Sequence, residues 1–206
     1  DTEEVLVLAE CLQGHLASTT GEIVAAGRQL ADDLGIGVAC GLIGDGLADT
    51  ARVAVTLGAD RAYVVDDPLL AEFQPELYLE ALTKLCRTVS PRVLLMARTA
   101  IGRDLAPRLA ARLGVPLVQD CLEVKIDASS KQLLATRPVY GGNALATVLC
   151  TQNPQFATVR PKVYNLLPAQ DQRRGEVIPI QVELDPAMGK TKVVSTVLEE
   201  IEGVKL

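Results

Sequence analysis

The residues best placed to do chemistry lie between Ala97 and Gly114, ARTAIGRDLAPRLAARLG. An apolar run, Val93–Ala97, gives way there to Thr99, Ala100, Ile101 and Gly102, whose backbone N–H groups point at whatever sits at the strand's carboxyl end. Open α/β sheets bind ligands in that position, and anions suit the start of a helix. Thr99, Gly102 and Arg103 are therefore candidates for cradling a nucleotide phosphate. A structural reading stands beside that one: a well-capped helix whose arginines face a partner. In it Asp104 caps the helix and Pro107 takes the third helical position, where its missing N–H is harmless. Leu105, Leu109 and Leu113 then form the buried row, Asp104, Arg108 and Arg112 recur every four residues on a polar face, and Gly114 ends the helix.

Other chemistry-bearing residues point less clearly. GLIGDG, Gly41–Gly46, resembles part of a phosphate-binding loop but lacks the Lys-Ser/Thr ending and follows the second strand; a turn needing positive φ accounts for it. In RPVYGGNALATV, Arg137–Val148, Gly141 and Gly142 separate two β-prone runs and predict a bulge or tight turn, with Asn143 tolerating a left-handed backbone. Arg137, Tyr140 and Asn143 either face a partner or pack within the chain. His15 is the only histidine, so any His-activated nucleophile would have to use it; Glu10 is no evident orienter, and a solvated loop histidine is the expectation. Asp32, Asp33, Asp66 and Asp67 lack the spaced partners of a metal or acid–base site. No catalytic residue and no metal ligand set is assigned.

These residues need a frame. Val5–Ala9 is an apolar run too short for a helix and reads as a buried strand. A helix capped by Thr19 or Thr20 follows and stops at Gly35. Val38–Ile43 is a second strand, Ala48–Leu57 a helix ended by Gly58, and Arg61–Val65 a third strand. An amphipathic helix spans Pro75–Val89, and Val93–Ala97 is the fourth strand. Strands alternating with helices predict a parallel, right-handed α/β sheet. Past Leu113 the pattern changes. Pro116–Val118 is a strand, Leu122–Ile126 and Gln132–Thr136 read as a hairpin around Asp127–Ser130, and Ala144–Cys150, Ala157–Val159 and Val177–Val182 are further short strands. They predict an antiparallel extension on one edge of the sheet. Pro168–Glu176 is expected to be a mobile loop and Val193–Ile201 one or two amphipathic turns. Residues 1–120 form the parallel core, 121–190 the extension, and 191–206 a tail or linker.

Composition bounds the function. Hydrophobic residues make up 49% and aromatic ones 3%, with no Trp, so the core is aliphatic. A net charge of −6 gives no general attraction to nucleic acid or an anionic membrane. No apolar run approaches the ~20 residues of a spanning helix. The five cysteines, at 11, 40, 86, 121 and 150, have neither zinc spacing nor an even count; Cys40, Cys86 and Cys150 read as small buried hydrophobes in a reducing compartment. No basic, apolar leader precedes Asp1, so any targeting segment is expected to be gone or never to have existed.

Three motifs in one order, ARTAIGRDLAPRLAARLG, RPVYGGNALATV and FATVRP (Phe156–Pro161), preceded by VLVLAE at Val5–Glu10, resemble the amino-terminal domain of the electron-transfer flavoprotein alpha subunit. The similarity runs to about Glu183. It implies a doubly wound parallel sheet of the adenine-nucleotide-hydrolase-like type. FAD in this family is held mainly by a second domain, marked by GGRGL, QTG and GISGA runs that do not occur here, so that half is expected to be missing. The resemblance further implies a heterodimer with a beta subunit, bacterial cytoplasmic or mitochondrial, which takes electrons from acyl-CoA or other dehydrogenases and passes them to a quinone oxidoreductase or another acceptor. In the beta subunit the equivalent loop and helix cradle AMP; in the alpha subunit they are usually empty. This domain would be scaffold and subunit interface through Arg137, Tyr140 and Asn143, part of a carrier and not an enzyme. The rival is a stand-alone adenine-nucleotide-binding module using Thr99, Gly102 and Arg103. The superfamily's ATP-pyrophosphatase loop is absent, since the first strand is followed by ECLQGHLAS.

Overall fold

Strands buried on both faces read as continuous apolar runs, and those runs form the centre of the sheet. In the computed structural model, which describes residues 3–12, 14–168, 170–191 and 193–195, β1 (Glu4–Leu8) lies at the middle. A two-residue hairpin, β2 (Cys11–Leu12) and β3 (His15–Leu16), leads into α1 (Ser18–Leu34). Then come β4 (Gly37–Gly44), α2 (Ala48–Thr56), β5 (Arg61–Asp66), α3 (Pro75–Val89), β6 (Val93–Ala97), α4 (Ala100–Leu113) and β7 (Leu117–Cys121). The second half supplies β8 (Glu123–Ile126), β9 (Leu133–Val139), β10 (Ala144–Leu149), β11 (Gln155–Val159) and β12 (Glu176–Pro179).

Seven strands in the order β12-β5-β4-β1-β6-β11-β7 form one sheet in which every pairing is parallel. Alternate residues serve the two faces. Val5 and Val7 pack with α1 and α2, while Leu6 and Leu8 pack with α3 and α4. Gly27 lets α1 approach closely, since a Cβ there would lie 2.9 Å from a Val7 methyl and 3.1 Å from one of Val38.

The α/β class and the antiparallel second-half element are both present, but two strands go elsewhere than expected. β8, β9 and β10 form a separate antiparallel sheet. β11 inserts parallel between β6 and β7, and β12 adds parallel to β5 at the far edge. Short strands carry no direction in their composition; the partner sets it. The small sheet is fastened to the core through Val124, Leu133 and Ala135. It is also clasped by Tyr164, whose hydroxyl accepts from the Val124 N–H at 2.9 Å and donates to its carbonyl at 3.2 Å. The predicted Asp127–Ser130 turn forms: Asp127 accepts from Ser129 Oγ at 2.6 Å and from the Ser130 N–H and Oγ at 2.7 Å.

Local details differ in informative ways. Helix α1 has Ala17 at its N-cap with no side-chain cap, and Thr20 is buried inside it. Helix α4 is capped by Thr99, whose Oγ1 accepts from the Gly102 N–H at 3.1 Å. It therefore starts earlier than Asp104 would start it, and Pro107 falls in its interior. Asp104 instead pairs with Arg108 at 3.4 Å. Within the stretch expected to be a mobile loop, Pro168–Glu176, Arg173 is tied to the core: it donates to the Ala59 carbonyl at 3.0 Å and to Asp60 at 2.5 Å. Of the predicted turns at Val193–Ile201, Val193–Ser195 are not helical and the rest lies outside the described residues.

Candidate functional site

Two loops at the carboxyl ends of the strands could present N–H groups to an anion, and in both a carboxylate of the chain is already there. At the start of α4, the Thr99 hydroxyl donates to Glu10 Oε1. Burial raises the Glu10 pKa, opposed by Thr99 and by the Gly102 N–H. At the start of α2, the Asp66 carboxylate accepts from the Gly46 N–H at 2.8 Å and the Leu47 N–H at 2.9 Å. An incoming phosphate would meet negative charge at either place. The structure thus brings Thr99 and Gly102 together with Glu10, weighed in the sequence only as an orienter for His15, and leaves Arg103 exposed on the helix surface. The arginines expected to face a partner are paired internally: Arg108 with Glu76 of α3 at 3.1 Å and Arg112 with Glu80 at 2.5 Å.

A second cluster lies where β6, β7 and β11 end. Asp120 has a left-handed backbone, φ 65°, at a register shift between β7 and β11. That conformation is uncommon for a residue with a Cβ. Arg160 grips its carboxylate with a fork, Nε to Oδ1 at 2.9 Å and Nη2 to Oδ2 at 2.7 Å. Arg98 lies 3.6 Å from Oδ1. The Arg160 hydrogen bonds hold the Asp120 carboxyl below the usual range against the effect of burial, helped by the charges of Arg98, Arg160 and Arg137. Asp120 and Arg160 border a cleft of about 500 Å³, walled on its other side by Arg137 and Pro138–Gly142. Arg98 and Arg160 each immediately follow a strand of the main sheet, and that position within ARTAIG and FATVRP was the signal available to find them.

The turn beside this cleft carries the remaining predicted residues. Gly141 and Gly142 have φ of 68° and 96°, as a tight turn requires; the other left-handed residue is Tyr140, at 51°. Asn143 is right-handed, φ −73°, and its Nδ2 donates to the Tyr140 carbonyl at 3.0 Å. Tyr140 is 84% exposed, and Leu145, at 63%, extends this apolar surface along β10 with Val148 and Leu149. β10 is the edge of the small sheet and has no buried residue on either face. An open edge with exposed apolar side chains invites pairing or burial against another surface.

His15 is exposed. Burial raises the thiols of Cys40, Cys86 and Cys121 to about 12, which makes them inert packing groups at neutral pH. Among the described residues no group of His, Cys, Asp or Glu could hold a metal ion, and no helix is long and apolar enough to cross a membrane.

The carboxylates set an acid limit on the fold. Asp60 is pushed up by burial, but hydrogen bonds from the Val38 N–H, Arg28 and Arg173 outweigh this and leave it lowered. Asp120 is lowered as well, and Asp127 is lowered to about 2 by Ser129 and Ser130. The unfolded chain takes up protons at these groups first, so their stabilisation is present above the ordinary value of 3.8 and is lost as pH falls through the lowered values. Glu10, raised, has the opposite sign: its contribution is complete below 4.5 and is lost as pH rises through the raised value. The melting temperature should therefore fall as pH drops from 3.8 towards about 2. Asp120→Asn should reduce that slope; an unchanged slope in thermal melts would remove Asp120 from the account.

Comparison with known proteins adds a relationship. Residues 5–185 match the family model described as the electron transfer flavoprotein domain. The chain is 38% identical over 207 residues to the electron transfer flavoprotein subunit alpha of Thermoanaerobacterium thermosaccharolyticum, an alignment covering 100% of this chain and 62% of that protein. It is 36% identical to the subunit alpha of Megasphaera elsdenii, covering 98% and 60%, and 35% identical to the protein FixB of Clostridium saccharobutylicum, covering 96% and 59%. The chain spans about three fifths of the length of these relatives.

Proposed function

The chain belongs to the electron transfer flavoprotein domain family as an alpha-type domain, and from that premise we propose that it is the scaffold and subunit-interface part of a heterodimeric, FAD-containing electron carrier. The partner is a beta-type subunit of the same family. The carrier takes electrons from dehydrogenases, acyl-CoA dehydrogenases among them, and delivers them to a quinone oxidoreductase or another acceptor. The observation that carries the reading is the exposed β10 edge with Tyr140 at its head. An exposed apolar strand edge of this kind supports the reading of a contact surface.

FAD fits neither helix start, because Glu10 and Asp66 fill the places its pyrophosphate would need. In this proposal the flavin is held outside this chain and no step passes through it here. The same two carboxylates weigh against a stand-alone nucleotide-binding module, and micromolar AMP binding to the isolated chain in calorimetry would reverse that judgement.

The test is association. Tyr140→Ala should weaken binding to a co-expressed beta-type subunit by about tenfold or more, as truncating a central interface aromatic does. Stability should shift by no more than about 0.5 kcal/mol, as for an exposed side chain. Unaltered association with a lowered melting temperature would show that Tyr140 only packs.

A further inference from the structure

The geometry points to the cleft between Arg137 and the Asp120–Arg160 pair as an oxyanion site, one that takes a single carboxylate or phosphate group. The inference stands on local chemistry and does not require the carrier reading to hold. Three guanidinium groups gather here: Arg160 and Arg98 lie 2.7 and 3.6 Å from the Asp120 carboxylate, and Arg137 borders the same cleft as Asp120. Three positive charges against one negative charge leave a surplus of two in a chain whose net charge is −6. Arg160 occupies both Asp120 oxygens. The buried Nε atoms of Arg98 and Arg137 have no hydrogen-bond partner among the described residues. These Nε atoms are closed off from the cleft, so an anion in it would be received where the Arg137 and Arg160 side chains border it, balancing a local excess of positive charge.

The surroundings suit such a group. Arg98 N–H donates to the Val159 carbonyl at 2.8 Å, and Arg160 N–H to that of Cys121 at 2.9 Å. The Asp120 N–H donates to Thr158 Oγ1 at 3.1 Å. Backbone bonds thus hold the strand ends that carry three of the four charges, so little ordering remains for a ligand to impose. The wall opposite is the Tyr140–Gly142 turn, whose successive positive-φ residues are the kind of backbone that presents N–H groups to anions. At about 500 Å³, the cleft is of small-ligand size. The anion has two possible sources: a free solute, or an acidic side chain of the proposed beta-type partner.

Calorimetry of the full chain at low ionic strength, with inorganic phosphate and with malonate as probes, tests this. Saturable binding is expected, weakened about tenfold or more by Arg137→Gln, the usual effect of losing a charge-assisted hydrogen bond, and weakened by added salt. A second variant guards against misfolding of the first. Gly141→Asp adds a carboxylate where a Cβ meets nothing within 4 Å, in a left-handed conformation that Asp tolerates, and should also weaken anion binding. If neither probe binds, yet both variants weaken association with the beta-type subunit about tenfold, the site stands and its oxyanion is the partner's. Anion binding that survives both variants would be adventitious and would overturn the inference. So would the absence of probe binding together with unaltered association. A beta-type subunit that fails to bind the wild-type chain at all counts against the carrier reading; the inference then stands or falls on the free anions alone.

Discussion

Gly102→Ala should destabilise the protein by about 3 kcal/mol or more, although Ala is the better helix former. A Cβ at Gly102 would overlap the Ala97 carbonyl oxygen. That oxygen belongs to the last residue of β6 and has no freedom to swing aside. Propensity would favour Ala by about 1 kcal/mol, so a large net loss reports the steric clash alone. Gly27→Ala provides the comparison. Its nearest neighbours are valine methyls at 2.9 and 3.1 Å, which can shift, and the expected loss is about 1 to 3 kcal/mol. Denaturant unfolding of the two variants measures both effects. A Gly102→Ala midpoint equal to wild type would mean that α4 does not begin hard against β6 and that Glu10 is not clamped by Thr99.

Phe156→Ala should cost about 3 to 5 kcal/mol, the range for emptying a fully enclosed aromatic site. Phe156 is completely buried, paired in register with Leu94 on one side and Leu117 on the other. It packs in the layer under α3 and α4 with Leu105 and Leu109. Because β11 lies between β6 and β7 in the sheet, the damage should extend to the Arg98, Asp120 and Arg160 cluster at the strand ends. Urea unfolding should show the stability loss, and anion binding at the cleft should weaken with it. A loss below about 1 kcal/mol would mean that the surrounding leucines close the cavity completely.

Much of the frame was readable beforehand because the signals are local. Pro75–Val89 and Val93–Ala97 have the predicted bounds, since proline, a long apolar face and an uninterrupted β-rich run are each complete within one segment. The α4 start was misread because Asp104 and Thr99 are both acceptable caps; burial of the Ile101–Gly102 turn against Ala97 selects Thr99. The site was less legible. Arg137, Tyr140 and Asn143 were marked by the odd composition of a glycine turn. Arg98, Asp120 and Arg160 were not, because a charged residue after a strand looks the same whether it meets water or a carboxylate.

What the sequence determined by itself is the set of helices, most of the strands, the aliphatic core and the family motifs, all of which depend on neighbours within a few turns of chain. Tertiary structure alone decided that β11 and β12 join the parallel sheet, that Glu10 reaches a helix start 89 residues away, and that three arginines from separate segments gather about Asp120. Those outcomes depend on which surfaces meet once the apolar faces are buried. Burial is non-directional and long-range along the chain, so no local pattern encodes it.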